Sequence, residues 1–328
     1  MRLRVALSAG AAALLLLLAH PPGALAAPSD ELARSFAELQ ARDRYLLDVG
    51  WKLATGNAPY CADAAPAIGL LVTDMAAYGQ QGPALREALK LPGDIASLAV
   101  ANGGPAQLAG IRPDAPLLAL DGKDLLAPSA SDAPAWQRAQ RLHETIDRSL
   151  RENGKVAITW RDSPDSVVTA EIAGIPACAS RFEVWDDGTR ASAEGTRVIF
   201  GRDFPGFGYP EAEFAAAVAH EMAHNLLGHR AWLAENGRKR KNIRLTEREA
   251  DRLMPWLLAN AGYDPAAAKR FMERWGPVHG GGLLRKRTHD GWDERVDEID
   301  AELTQIAQVR AGNGPADWAT HFRREIEP

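Results

Sequence analysis

Ala219-His220-Glu221-Met222-Ala223-His224-Asn225 and, further along, Thr246-Glu247-Arg248-Glu249-Ala250-Asp251 are the two stretches that decide how this chain is read. The first lies in an Ala-rich run with helical character. Four residues advance a helix by a little over one turn, so His220 and His224 share a face and can present two imidazoles to one ion. Glu221 sits about 100° around the helix from His220. It is poorly placed to bind the same ion but well placed to take a proton from a water beside it. A catalytic zinc wants three protein ligands and one open position, and bound zinc lowers the pKa of water to about 7. Glu221 is therefore the candidate general base, passing the proton on to a leaving amine.

The third ligand has two conceivable sources. A continuation of the first helix would need Gly and His where Leu227 and Arg230 stand, and His229 is one residue out of place. His229 reads as a helix-end or packing histidine. The second stretch is the better source. Thr246 is a plausible N-cap of a new helix, and Glu247 and Asp251, four apart, share a face. Glu247 completes a His-His-Glu set for one zinc ion per chain. Asp251 accepts a hydrogen bond from the far nitrogen of a ligand imidazole and so fixes its orientation. Glu249 points away from Glu247 by about 200° and reads as a surface charge.

His-Glu-x-x-His followed on a later helix by Glu-x-x-x-Asp resembles the Ste-type gluzincin metallopeptidases, the HtpX, BepA and CAAX prenyl protease group. Ala250-Asp251-Arg252 and Ala261-Gly262-Tyr263-Asp264-Pro265 are similar to that family as well. The resemblance covers about 180–310 plus the N-terminal helix. It implies a mainly helical zincin-type domain with a small sheet, and zinc-dependent cleavage of polypeptide substrates. It also implies that the strand Arg197–Phe200 aligns an extended substrate beside the site. Thr288-His289-Asp290 and the helix with Asp293-Glu294-Arg295 fall where relatives carry Thr/Ser-His-Pro and then Glu-Arg. His289 and Arg295 are thus candidates for a gate or for oxyanion stabilisation, with a structural role the alternative for both. Met254-Pro255 departs from the family, and Pro255 is expected to kink or break its helix.

Residues 64–174 have another character. Short apolar strands are expected at 68–72, 95–100 and 117–120, the last closed by the turn dipeptide Asp121-Gly122. A helix follows at 134–153, then paired strands at 156–160 and 167–172. Gly104-Pro105-Ala106, Ala109-Gly110-Ile111-Arg112-Pro113-Asp114 and Leu118-Ala119-Leu120-Asp121-Gly122 resemble a PDZ domain of the bacterial protease type. That resemblance implies a site for C-terminal peptides at a sheet edge, with 68–71 as the carboxylate-facing loop. Such a module either selects substrates or restrains the protease; a small α+β domain without a peptide pocket is the plainer alternative.

The fold class expected is α+β. The divisions are a signal peptide (1–26), an N-terminal helix of the protease domain (27–63), a PDZ-like insert (64–174) and the metalloprotease domain (175–328). Helices are expected at 30–56, 211–235, 246–261, 265–275 and 293–311, with 204–210 a loop. Arg2 and Arg4, the apolar run Val5–Ala19 and Ala24-Leu25-Ala26 form the signal-peptide pattern, which points to the periplasm or to secretion. Its loss takes two arginines and moves the formal charge from −5 to −7. That acidity gives no general pull toward nucleic acid. The basic runs Arg238–Lys241 and Arg285–Arg287 read as solvated loops, with contact to a membrane surface the sharper alternative; nothing in the mature chain is apolar for the roughly 20 residues that a spanning helix needs. Cys61 and Cys178 are the only cysteines, and an isolated pair in an oxidising compartment reads as a disulfide, against two buried thiols. The alternative function is a non-catalytic peptide-binding protein on a degenerate protease scaffold, against which the retained Glu221 argues.

Overall fold

The computed structural model describes residues 28–126, 134, 136–279, 291–312 and 314–326. Among these residues the fold is α+β, with helices predominating and four small sheets. It opens with α1 (Pro28–Asn57), whose apolar residues at three- and four-residue steps put Phe36, Leu39, Leu46, Val49 and Leu53 in the core. Then come β1 (Ala65–Ala67), β2 (Leu70–Asp74), α2 (Gly82–Ala88), β3 (Ile95–Val100), α3 (Pro105–Leu108), β4 (Leu117–Leu120), β5 (Lys123–Asp124), α4 (Trp136–Asn153), β6 (Lys155–Ser163), β7 (Ser166–Ala173) and β8 (Ile175–Ala177). The rest is β9 (Arg181–Trp185), β10 (Ala191–Ala193), β11 (Arg197–Gly201), α5 (Glu211–Leu226), α6 (His229–Asn236), α7 (Arg240–Asn260), α8 (Ala267–His279), α9 (Trp292–Ala311) and α10 (Trp318–His321).

Among the described residues the buried apolar side chains form two large cores and a small third cluster of Phe36, Met75, Leu85, Leu91 and Ala96. One large core runs from Ile68 to Ile172 in sequence, with Leu70, Ile95, Ile111, Leu117, Ile146, Ile158 and Trp160 among its members. Around it lie the antiparallel pair β2–β3 and the sheet β5-β4-β6-β7. The Asp121-Gly122 turn has both residues at positive φ, 48° and 73°, as a two-residue hairpin closing β4 on β5 requires. The β2 edge away from β3 is covered by α4: Val72 N–H donates to His143 Nε2 at 3.2 Å. The entry and exit strands of this segment run antiparallel, Ala65 opposite Ala177, and just outside them Cys61 and Cys178 form a disulfide with Cα atoms 5.6 Å apart.

The larger core gathers α1, the sheet β10-β11-β9, α5, α7, α8 and α9. Asn57 ties three of its helices together. Its side chain donates to Leu53 O and Leu257 O and accepts from Asn260 and from Trp318 Nε1.

Several expectations are corrected here. The helix expected over 211–235 is two, because Gly228 adopts φ 67° and turns the chain. The helix expected from Thr246 begins at Arg240, so Thr246 is interior and bonds back to Ile243 O at 2.8 Å. Arg240 and Lys241 therefore belong to its first turn rather than to a loop, though the run Arg238–Lys241 is exposed. Pro255 leaves α7 unbroken; the bond it cannot make falls on the Asp251 carbonyl. The segment 204–210 contains a 3-10 turn, Pro205–Gly208. β11, the strand expected to align substrate, is flanked on both sides by β10 and β9, so its own edges are taken. Among the described residues no helix is long and apolar enough to cross a membrane. The signal-peptide pattern and Arg285–Arg287 lie outside the described residues.

Replacing both cysteines with serine should lower the unfolding free energy by about 2–5 kcal/mol, since the bridge closes a long loop; an unchanged denaturation midpoint under oxidising conditions would contradict the bridge. Asp43 supplies a second expectation. It is buried in α1 and accepts Val184 N–H at 2.7 Å. Burial lifts its carboxyl to about 8, with the Val184 bond opposing and Glu183 adding to the rise. A carboxyl raised in the folded state stabilises the fold fully below its ordinary value of about 4 and loses that contribution as pH climbs through the raised value. Asp43→Asn should flatten the decline in stability between about pH 4 and pH 8, measured by urea unfolding across that range.

Candidate metal centre

The site is made by α5 lying on α7. α5 is buried along Phe214–Ala219 and at Met222 and Ala223, and α7 at Ala250, Leu253 and Met254. Alanines dominate the α5 side, and small side chains let two helix backbones approach closely. The polar edge of that contact holds His220 and His224 from α5 and Glu247 from α7. His220 Nε2 is 3.3 Å from His224 Nε2 and 3.4 Å from Glu247 Oε2, and His224 Nε2 is 3.6 Å from Glu247 Oε1. The three side chains form one group able to hold a metal ion.

Each imidazole is backed on its other nitrogen. His220 Nδ1 faces Asp251 Oδ1 at 3.0 Å, a close contact rather than a well-directed hydrogen bond. Asp251 in turn accepts two bonds from Arg295 of α9, at 2.5 and 2.7 Å. His224 Nδ1 meets His229 Nδ1 at 2.9 Å, and His229 Nε2 meets Glu249 Oε2 at 3.0 Å. Glu249 also takes Arg324 Nη2 at 2.9 Å and the backbone N–H groups of Glu325 and Ile326 at 2.5 and 2.8 Å.

The electrostatics follow from burial and from this crowd of carboxylates. Burial opposes charge on His220, but Asp251 and Glu247 outweigh it and raise the imidazole to about 10. The same negative surroundings that draw a proton there attract a metal cation. Burial lowers His224 to about 3, with Glu247 pulling the other way and His220 and His229 pushing it down. Glu221 is lifted to about 7, chiefly by burial, with His220 opposing and Glu247 adding. Burial would raise Glu249, but His229, Arg324 and the Ile326 N–H hold it down at about 2. Asp251 is held below the usual carboxylate range: burial acts against this, and Arg295 and His220 overcome it.

A cleft runs past the group. On one side it has a volume of about 590 Å³ and is lined by His220, Glu221 and Glu247 together with Phe204, Phe271, Trp275 and Trp292. On the other side of the histidines it continues past Glu194, Arg230 and Arg238. Ala191 of β10 borders both parts. Among the described residues β10 is an end strand of its sheet, paired only with β11.

His220, Glu221, His224, Glu247 and Asp251 are thus brought together. Arg295 lines the cleft and holds Asp251, which fits the helix-pinning alternative. His289 lies outside the described residues. Glu249 is corrected: it is fully buried, under the C-terminal segment. His229 does open a helix, yet its ring is engaged with His224 and Glu249 and not merely packed. The sequence carried a trace of this in Gly228, which turns the chain so that His229 comes back toward His224. The aromatic lining from α8 and α9 left no trace in spacing. A scan against protein-family models and a search of curated proteins find no match to the chain.

Asp251→Ala should destabilise the protein by about 3–5 kcal/mol, because it removes a buried carboxylate that takes two charge-assisted bonds from Arg295. Denaturant unfolding of the metal-free chain measures this, and a loss under 1 kcal/mol would show that the pair is not held as described.

Proposed function

We propose that the chain is a zinc-dependent endopeptidase of the Ste-type gluzincin kind, acting on exported or envelope proteins after removal of a signal peptide. The observation that carries this reading is the convergence of two imidazoles and one carboxylate on one point. Ligands placed tetrahedrally at zinc's bond lengths stand roughly 3.3–3.6 Å apart; the two Nε2 atoms are 3.3 Å apart, and the Glu247 carboxylate faces both, Oε2 at 3.4 Å from His220 Nε2 and Oε1 at 3.6 Å from His224 Nε2. Two imidazoles and one carboxylate suit zinc and disfavour calcium or magnesium, which take oxygen ligands. Two donors on α5 and one on α7 leave a face turned to the cleft, as a catalytic rather than a structural site requires.

When bound, zinc supplies Lewis acidity, lowering the pKa of water to about 7 and polarising a carbonyl. His220, His224 and Glu247 would hold it. Glu221 takes the proton from the attacking water and returns it to the leaving amine. Asp251, fixed by Arg295, keeps the His220 ring turned so that Nε2 faces His224 and Glu247, as it would need to in order to hold the ion. The unpaired edge of β10 offers backbone groups to an extended polypeptide, which would lie along the cleft as an added strand. This role passes from β11, assigned it on sequence resemblance, to β10. The Phe271, Trp275 and Trp292 side of the cleft favours an apolar substrate side chain there. The disulfide is consistent with an oxidising compartment, the periplasm or outside the cell.

A C-terminal peptide at the segment 64–174 is a separate part of the proposal. His143 holds the Val72 N–H that an added strand would use, so such binding requires α4 to shift.

The test is metal analysis of the purified mature chain together with cleavage of unfolded casein before and after chelation. Zinc near one per chain, chelator-sensitive cleavage, and a Glu221→Gln variant that keeps zinc but turns over about 10²–10⁴-fold more slowly are expected. Equal cleavage by Glu221→Gln would overturn the mechanism, and a metal-free, fully active chain would overturn the class.

A further inference from the structure

We propose that His229 and Glu249 are positioning residues for His224, and that the C-terminal segment Arg324–Ile326 completes this support. The inference rests on the reading of His224 as a metal ligand. Its basis is a hydrogen-bond count. Glu249 is fully buried and receives Arg324 Nη2, Glu325 N–H and Ile326 N–H. All three are obligatory donors, so Glu249 serves as an acceptor, and His229 Nε2 at 3.0 Å must carry the hydrogen. A neutral imidazole has one N–H, which leaves a lone pair on His229 Nδ1. The atom 2.9 Å from that lone pair is His224 Nδ1, so the His224 proton belongs on Nδ1. The lone pair of His224 Nε2 then faces His220 Nε2 and Glu247, the form a metal ligand needs.

His220 is backed by Asp251, anchored by Arg295 from α9. His224 is backed through one intervening ring by Glu249, anchored by Arg324 from the C-terminal segment. Both carboxylates come from α7, two residues apart, on the helix that also supplies Glu247. Arg324 Nη2 further donates to Leu227 O at the end of α5 at 3.0 Å, so one guanidinium spans the two ligand-bearing helices. Glu325 pairs with Arg248 and Arg252 at 2.9 Å each, which fastens the segment along α7. Residues at the far end of the chain, touching no ligand atom, thereby fix the ring of a ligand.

The direct test is long-range ¹H–¹⁵N correlation of the imidazoles in the full, metal-free chain, which reads the protonated nitrogen of each ring. His224 is expected protonated at Nδ1 and His229 at Nε2; a His229 protonated at Nδ1 overturns the proposal whether or not metal binds. Zinc affinity by chelator competition, and the visible spectrum of the cobalt-substituted chain, read the consequence. His229→Phe and Glu249→Gln should each weaken zinc by about 10–100-fold and shift the cobalt bands. His229→Gln offers an amide oxygen to His224 Nδ1–H and should restore much of the affinity. Thermal midpoints of the metal-free variants separate this from general destabilisation. Wild-type affinity and spectrum in a folded His229→Phe variant, or no recovery in a folded His229→Gln, would sink the positioning role. A wild-type chain with the expected tautomers but no zinc affinity would instead sink the metal reading.

Discussion

The approach of α5 to α7 is the constraint on which the rest of the site depends. His220 and His224 need only a helix to stand together, but Glu247 reaches them only if a second helix lies close against the first. Ala215, Ala216, Ala219 and Ala223 on α5 and Ala250 on α7 are all fully buried, and their small side chains permit that distance. Larger residues would push the helices apart, and a shift on the order of 1 Å is enough to spoil a constellation of this kind. The convergence of the donors is thus a packing result before it is a chemical one.

That packing brings charge with it. Glu247, Glu249 and Asp251 fall within five residues of one helix, and two of the three are fully buried. Buried carboxylates are costly unless each is paired and hydrogen-bonded. The chain meets this with arginines from other parts of the sequence, Arg295 from α9 for Asp251 and Arg324 from the C-terminal segment for Glu249. The elements that surround α7 therefore do more than cover apolar surface. They supply the counter-charges without which the ligand-bearing turn would not stay ionised and ordered.

The open side of the site is built from different material. The short strand β10, the aromatic residues of α8 and α9, and the arginines before α7 border a cleft that passes the three donors. Glu221 stands in it between the ion-binding face and the aromatic side. Away from the cleft, the segment from β1 to β8 encloses its own core, and the disulfide joins the chain just before it to the chain just after.

Local pattern carried a large part of this. The helical spacing of His220 and His224, and of Glu247 and Asp251, follows from 3.6 residues per turn and needs no partner to be read. The hairpin at Asp121-Gly122, the strands 95–100 and 117–120, and the long first helix likewise rest on near-neighbour physics. The two cysteines read as a disulfide from their isolation alone, and the fold brings Cys61 and Cys178 together as that reading requires. What the tertiary structure alone decided is which side of each helix is covered and by what. Glu249 does point away from Glu247, as the helix dictates, but away from the site proved to be under the C-terminal segment and not in solvent. β11 lies between β10 and β9, neighbours invisible in its own residues, and the strand that borders the cleft is β10. Spacing along a helix or strand fixes direction relative to its own axis; what lies in that direction depends on chain that arrives from far away in sequence.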